Sequence, residues 1–256
     1  MLSSFATITS IGVAGLLMTL RLGPAFASAP PFSLIRIPVR VRVALIVGLA
    51  FTFSLPFAKE VPLEPSALLQ AAAAELLLGT VIAFAWQGAF AGLLFAGRVL
   101  DLQAGFGIAQ VIDPSTRAQM PLFGALIAMV AGLIFFASGA HRDMLRLIAL
   151  LNQFIPLGAF HFQGGVQPLI KYLGSVAVIG LAVVSVAFVV LFMIDLLLAF
   201  LSRTLPQMNV LVLGLQVKTI VSILVLASSC RLLEPVMARL AHLALRLPAE
   251  LTGTTQ

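Results

Sequence analysis

The sequence predicts an all-α, membrane-associated chain that is not a conventional six-span bundle, and three observations carry that prediction. Of its 256 residues, 61% are apolar and 9% are charged, against about 45–50% and about 25% in a soluble globular domain. The apolar residues gather in six long runs without period-two alternation, and such runs outlast the usual strand of about 3–10 residues. Arg and Lys other than Lys218 divide seven against seven between the two sides of six alternating spans. Positive-inside bias breaks such a tie in an ordinary polytopic protein.

The first run, Phe5–Leu20, ends before Gly23-Pro24. Ala25-Phe26-Ala27 has the small-residue pattern of a signal cleavage site. The first basic residue, Arg21, nevertheless follows the apolar run instead of preceding it, so the segment reads as the first helix of the mature protein. Val39–Phe57 starts after Pro30-Pro31 and closes before Pro62 and Pro65. Ala67–Gly97 and Leu169–Leu201 each run past 30 residues. That is roughly 45 Å of helix against a hydrocarbon core of about 30 Å, so these helices tilt strongly, break, or project into a protein assembly. Leu122–Gly139 lies between them, and Val210–Ser229 follows a turn signal at Leu205–Asn209. Small residues at Gly88, Gly92 and Ala96, and at Gly124, Ala128 and Gly132, have the four-residue spacing of close helix contacts, within the chain or between subunits.

Several function classes drop out. The net charge of +6 is scattered between apolar runs, unlike the basic face that nucleic acid requires, and fits anionic headgroups better. The single cysteine, Cys230, excludes an internal disulfide or a thiolate cluster. No lysine follows a glycine, so a phosphate-binding loop is missing, and Gly105-Phe-Gly107 lacks the third glycine of a dinucleotide fingerprint. His141, His161 and His242 stand apart without metal-ligand spacing. No catalytic residue, cofactor or metal is expected, and the chain does not read as an enzyme. One Trp and one Tyr among 19 Phe leave no interfacial aromatic belts, a hint that many helices face protein.

Three charges interrupt the apolar runs: Glu75, Asp195 and Lys218. Leaving one unpaired at mid-membrane costs at least ~2.5–3.5 kcal/mol, so each needs a partner or a wet cavity, as a structural ion pair or as part of an ion path. A helical hairpin turning near Gln207 would carry Asp195 and Lys218 at matching depth on opposite arms, roughly 16–18 Å from its tip. Asp101–Pro121 differs from the rest: glycines, Phe106, Ile108, Val111 and Ile112, then a turn at Asp113-Pro114 that could open a short helix. An irregular apolar loop beside membrane helices lines a cavity or is buried in protein, as a gate or as a packed connection.

Three motifs resemble the FliR/SpaR-type export-gate family of type III secretion systems. They are Gln103-Ala-Gly-Phe-Gly-Ile-Ala…Asp113-Pro114, Asp195-Leu-Leu-Leu-Ala-Phe-Leu-Ser-Arg203…Pro206-Gln-Met-Asn209…Gly214…Lys218, and Glu75-Leu-Leu-Leu-Gly79. The resemblance runs from Arg21 to about Arg231, and the Gln-Met-Asn run favours the flagellar branch over the injectisome one. It implies helical hairpins packed into a multi-subunit export gate in the bacterial inner membrane, at the flagellar basal body. Unfolded flagellar subunits would pass through it, driven by the proton motive force and a separate ATPase. FliP and FliQ are the implied partners, with FlhB and FlhA as neighbours. Residues 1–168 would be the FliP-like part, 169–231 a FliQ-like hairpin and 232–256 a C-terminal tail. Gln103, Gly105, Phe106, Gly107, Ile108, Val111 and Ile112 would form a pore plug, and Arg203, Pro206, Gln207, Met208 and Asn209 a hairpin turn meeting a partner. The alternative is an ion-coupled small-solute transporter, which calls for inverted repeats and a midplane polar pocket; no repeat is evident in the sequence.

Overall fold

A computed structural model of the chain describes residues 2–33, 37–57, 61, 64–106, 122–162, 165–205, 207 and 209–253. Among them the regular structure is helical: α1 (Leu2–Ser28), α2 (Pro30–Ser33), α3 (Val39–Ser54) with a 3-10 turn (Leu55–Phe57), α4 (Pro65–Ala104), α5 (Leu122–Ala137), α6 (Ala140–Phe154), α7 (Gln167–Thr204) and α8 (Val210–Leu251). Prolines open several of these helices, standing first in α2 and α4 and at the N-cap of α3, where the missing N–H has no intrahelical partner to lose. Among the described residues five helices are long and apolar enough to cross a membrane, or six if α5 and α6 count as one broken span.

The chain divides into two compact units. The first holds residues 1–89, 135–173 and 241–256, and the second holds 90–134 and 174–240, so α4, α5, α7 and α8 contribute to both. In the first unit α1 packs on α3. Leu17, Met18, Leu22, Leu78, Ile82 and Trp86 are buried in its core, and Trp86 meets Phe135 edge-on at 4.9 Å. Tyr172 is also buried, with its hydroxyl donating to the Ala85 carbonyl. Both amphipathic aromatics therefore serve the interior of the unit. Arg42 of α3 closes the ends of α1 and α2, donating to the carbonyls of Ala27 at 3.0 Å and Phe32 at 3.3 Å, a cationic C-cap.

The second unit is packed through small residues. A Cβ placed on Gly97 would lie 2.1 Å from the Gly124 Cα, and one on Gly92 would lie 2.5 Å from Val176 Cγ1. Gly92 and Gly124, from the two small-residue series, thus serve contacts within the chain, and Gly88 does the same against Tyr172 in the first unit.

The helices outrun the apolar runs. Arg21 lies inside α1, Arg98 inside α4, and Arg231, Arg239 and Arg246 inside α8, so these charges sit on helices and not in loops. The reason is that helix continues wherever backbone hydrogen bonds and a packed face persist, not only where every side chain is apolar. The stretch 232–256, expected as a tail, is helical as far as Leu251, with Leu233, Met237, Leu240 and Leu247 buried.

Candidate functional site

The charges that interrupt the apolar runs mark two sites, one in each unit. In the first unit, Glu75 and Gly79 lie one turn apart on α4 and share a face. Pro24, inside α1, has no N–H for the Leu20 carbonyl. Gly79 packs against that segment: a Cβ there would stand 2.6 Å from the carbonyl oxygens of Leu20 and Arg21. The close approach brings Arg21 onto Glu75. Arg21 Nε donates to Glu75 Oε2 at 2.5 Å and Nη2 to Oε1 at 2.8 Å, with both side chains fully buried. The remaining donors find Asn152 Oδ1 on α6 and the Ile155 carbonyl, and Glu75 Oε1 also accepts from the Gly158 N–H at 2.7 Å. A buried charge pair is tolerable when its other polar atoms are satisfied as well, and here one guanidinium ties α1, α4, α6 and the loop that follows it.

In the second unit, α7 and α8 form an antiparallel pair of arms about the turn at 205–209. Asn209 caps α8, its Oδ1 accepting from the Val212 N–H at 3.4 Å. Gly214 lets the arms approach, since a Cβ there would be 2.9 Å from Leu198 Cδ1. Across this contact Lys218 Nζ pairs with Asp195 Oδ1, the two side chains 18% and 39% exposed within the chain. Asp195 Oδ2 accepts a second bond, at 3.0 Å, from Gln103 Nε2 on the last turn of α4. Gly105 then ends α4 at φ +91°, with its N–H on the Leu102 carbonyl and that of Phe106 on the Asp101 carbonyl, a glycine stop that a side chain would strain. Phe106 meets Phe123 edge-on at 5.5 Å. A groove of about 440 Å³ opens here, lined by Leu102, Gly105, Asp195, Leu198, Gly214 and Lys218 among others.

The structure therefore brings Gln103, Gly105, Asp195 and Lys218 together and places Glu75 in the other unit. Arg203 and Gln207 are exposed at the hairpin end. Gly107, Ile108, Val111, Ile112, Pro206 and Met208 lie outside the described residues. Asp195 and Lys218 are part-exposed within the chain and line the groove. One expectation changes. Arg21, read from sequence as a flanking charge, is the partner of Glu75; the signal was the need of an interior glutamate for a cation, which periodicity could not assign. Asp101 was missed as well. It is buried, and its Oδ1 accepts from the Phe123 N–H at 3.1 Å, capping α5 from another helix. Among the described residues no three His, Cys, Asp or Glu side chains converge as a metal site.

The model of the family described as bacterial export proteins, family 1, matches residues 13–244. The chain is 30% identical over 225 residues to the flagellar biosynthetic protein FliR of Bacillus subtilis (strain 168), covering 86% of this chain and 87% of the relative. It is 28% identical over 219 residues to FliR of Escherichia coli (strain K12), covering 84% of each. Over 161 residues, 61% of each chain, it is 27% identical to the Yop proteins translocation protein T of Yersinia pestis. A family match over nine-tenths of the sequence makes this chain a member of the bacterial export proteins, family 1.

Proposed function

We propose that the chain is the FliR-type subunit of a flagellar type III export gate in the bacterial inner membrane, at the flagellar basal body. It works as a structural channel subunit and not as an enzyme. FliP and FliQ are its partners in the gate, FlhB and FlhA its neighbours, and unfolded flagellar subunits its cargo. Residues 1–168 act as the FliP-like part, 169–231 as a FliQ-like hairpin and 232–256 as a C-terminal extension. Gln103–Ile112 forms the plug of the closed pore.

The observation that supports this reading best is the length of exposed apolar surface on α7. Exposed side chains run along it from Ile170 through Val178, Val186 and Leu197 to Phe200, roughly 45 Å at 1.5 Å per residue. The hydrocarbon core is only about 30 Å thick, so lipid covers that surface fully only if α7 tilts strongly, whereas partner helices of matching apolar surface cover it without such a tilt. Membership of an export family also argues against the small-solute transporter. Copurification tests the proposal: the tagged chain, extracted in mild detergent, should bring FliP and FliQ with it. A chain that purifies alone and transports a solute on reconstitution would overturn it.

A further inference from the structure

Asp195 is the junction of three helices. One carboxylate oxygen takes the Lys218 ammonium from α8 and the other takes the Gln103 amide from α4, 92 residues away in sequence. The ammonium holds the carboxylate in place, and a hydrogen bond to a carboxylate is stronger than one between neutral groups. Beside it, Gly105 sits against α8, where a Cβ would stand 2.6 Å from Leu215 Cδ2. The end of α4 is thereby held to the hairpin by one polar tie and one close contact. Beyond Ala104 the regular helix has ended, so the direction in which the chain leaves α4 depends on how that end is anchored.

We propose that Asp195 and Lys218 are positioning residues for Gln103: the hairpin charge pair holds the end of α4 in its resting orientation, and the ion-tight state depends on this tie. The inference rests on the plug reading above, and it assigns the charge pair a task beyond hairpin packing. Asp195 supplies the acceptor, Lys218 keeps it aimed, and Gln103 transmits the constraint to Gly105 and Phe106.

The test uses assembled gates purified with FliP and FliQ, with small-ion leak and substrate export measured in cells. Gln103→Leu should assemble at wild-type yield and leak ions on the order of 5–30-fold faster, the population shift of one or two lost kilocalories. The pair D195L/K218M removes charge and acceptor together, and it should leak as Q103L does. D195N/K218M keeps an amide oxygen able to accept from Gln103 and should stay tighter than D195L/K218M. Adding Q103L to D195L/K218M should change nothing further. An ion-tight Q103L, leaks that add, or equal leak in the two double variants would each overturn the tie. If Q103L lowers assembly, the comparison of the two double variants decides by itself. Deleting Gly105–Ile108 separates the readings. A leaking deletion beside a tight Q103L removes the tie and leaves the plug, whereas an assembled, tight deletion removes both.

Discussion

Arg21 on α1 and Glu75 on α4 form a two-pronged ion pair with both side chains fully buried, 54 residues apart in sequence. Removing one partner of a buried pair leaves the other charge uncompensated at a cost of about 3–5 kcal/mol. Arg21→Met and Glu75→Leu should each lower the thermal midpoint and the cellular level of the chain, and Arg21→Met/Glu75→Leu should recover most of the loss. Arg21→Lys should rescue poorly, because an ammonium cannot reproduce the guanidinium fork that meets Glu75, Asn152 and Ile155 at once. Thermal unfolding of the detergent-extracted complex reads all four variants; single losses that merely add would make the two residues independent.

Asp195 and Lys218 give a second double-mutant test, aimed at assembly. Asp195→Asn and Lys218→Met should each reduce the amount of chain that copurifies with FliP and FliQ, while the double replacement restores much of it. The single losses should be smaller than those of Arg21 or Glu75, since this pair is part-exposed within the chain and solvent screening discounts it. Assembly restored without export would show that the charges also serve transport.

The small-residue contacts predict a sharp contrast between glycines. Gly97→Ala puts a methyl group 2.1 Å from the Gly124 backbone, and no flexible side chain is there to move aside. Overpacking of this kind costs typically ~1–3 kcal/mol. Gly48→Ala meets nothing within 4 Å and should be neutral, or stabilising by up to ~1 kcal/mol through helix propensity. Protease resistance of the purified complex should fall for the first and hold for the second. Equal behaviour of the two would remove the argument for close α4–α5 packing.

Helix α5 tests how much apolar surface meets lipid. Leu122, Leu126, Met129 and Leu133 form its exposed face, while Phe123, Ile127, Ala131 and Phe135 are buried. Single cysteines at 126, 129 and 133 in a Cys230→Ser background should be shielded from lipid-soluble quenchers in the assembled gate. Quenching at every depth along that face would place α5 in the bilayer as an ordinary span.

By itself the sequence determined the helical class, the over-long helices, the family and the matching depth of Asp195 and Lys218. These follow from short-range quantities: apolar run length, a constant rise per residue, and turn residues that act on their neighbours. The hairpin pair was legible because one local turn relates its two arms, so counting from Gln207 is enough. No such count links Arg21 to Glu75 and Asn152, Asp101 to the start of α5, or Gln103 to Asp195, which lie 54, 131, 22 and 92 residues apart. Those partnerships depend on which helix faces pack together, and a lone charge in an apolar run states only that it needs a partner. Gly79 illustrates the division. As a residue it is one more small side chain on α4, and only packing against Leu20 and Arg21 makes it the approach that lets Glu75 reach its arginine.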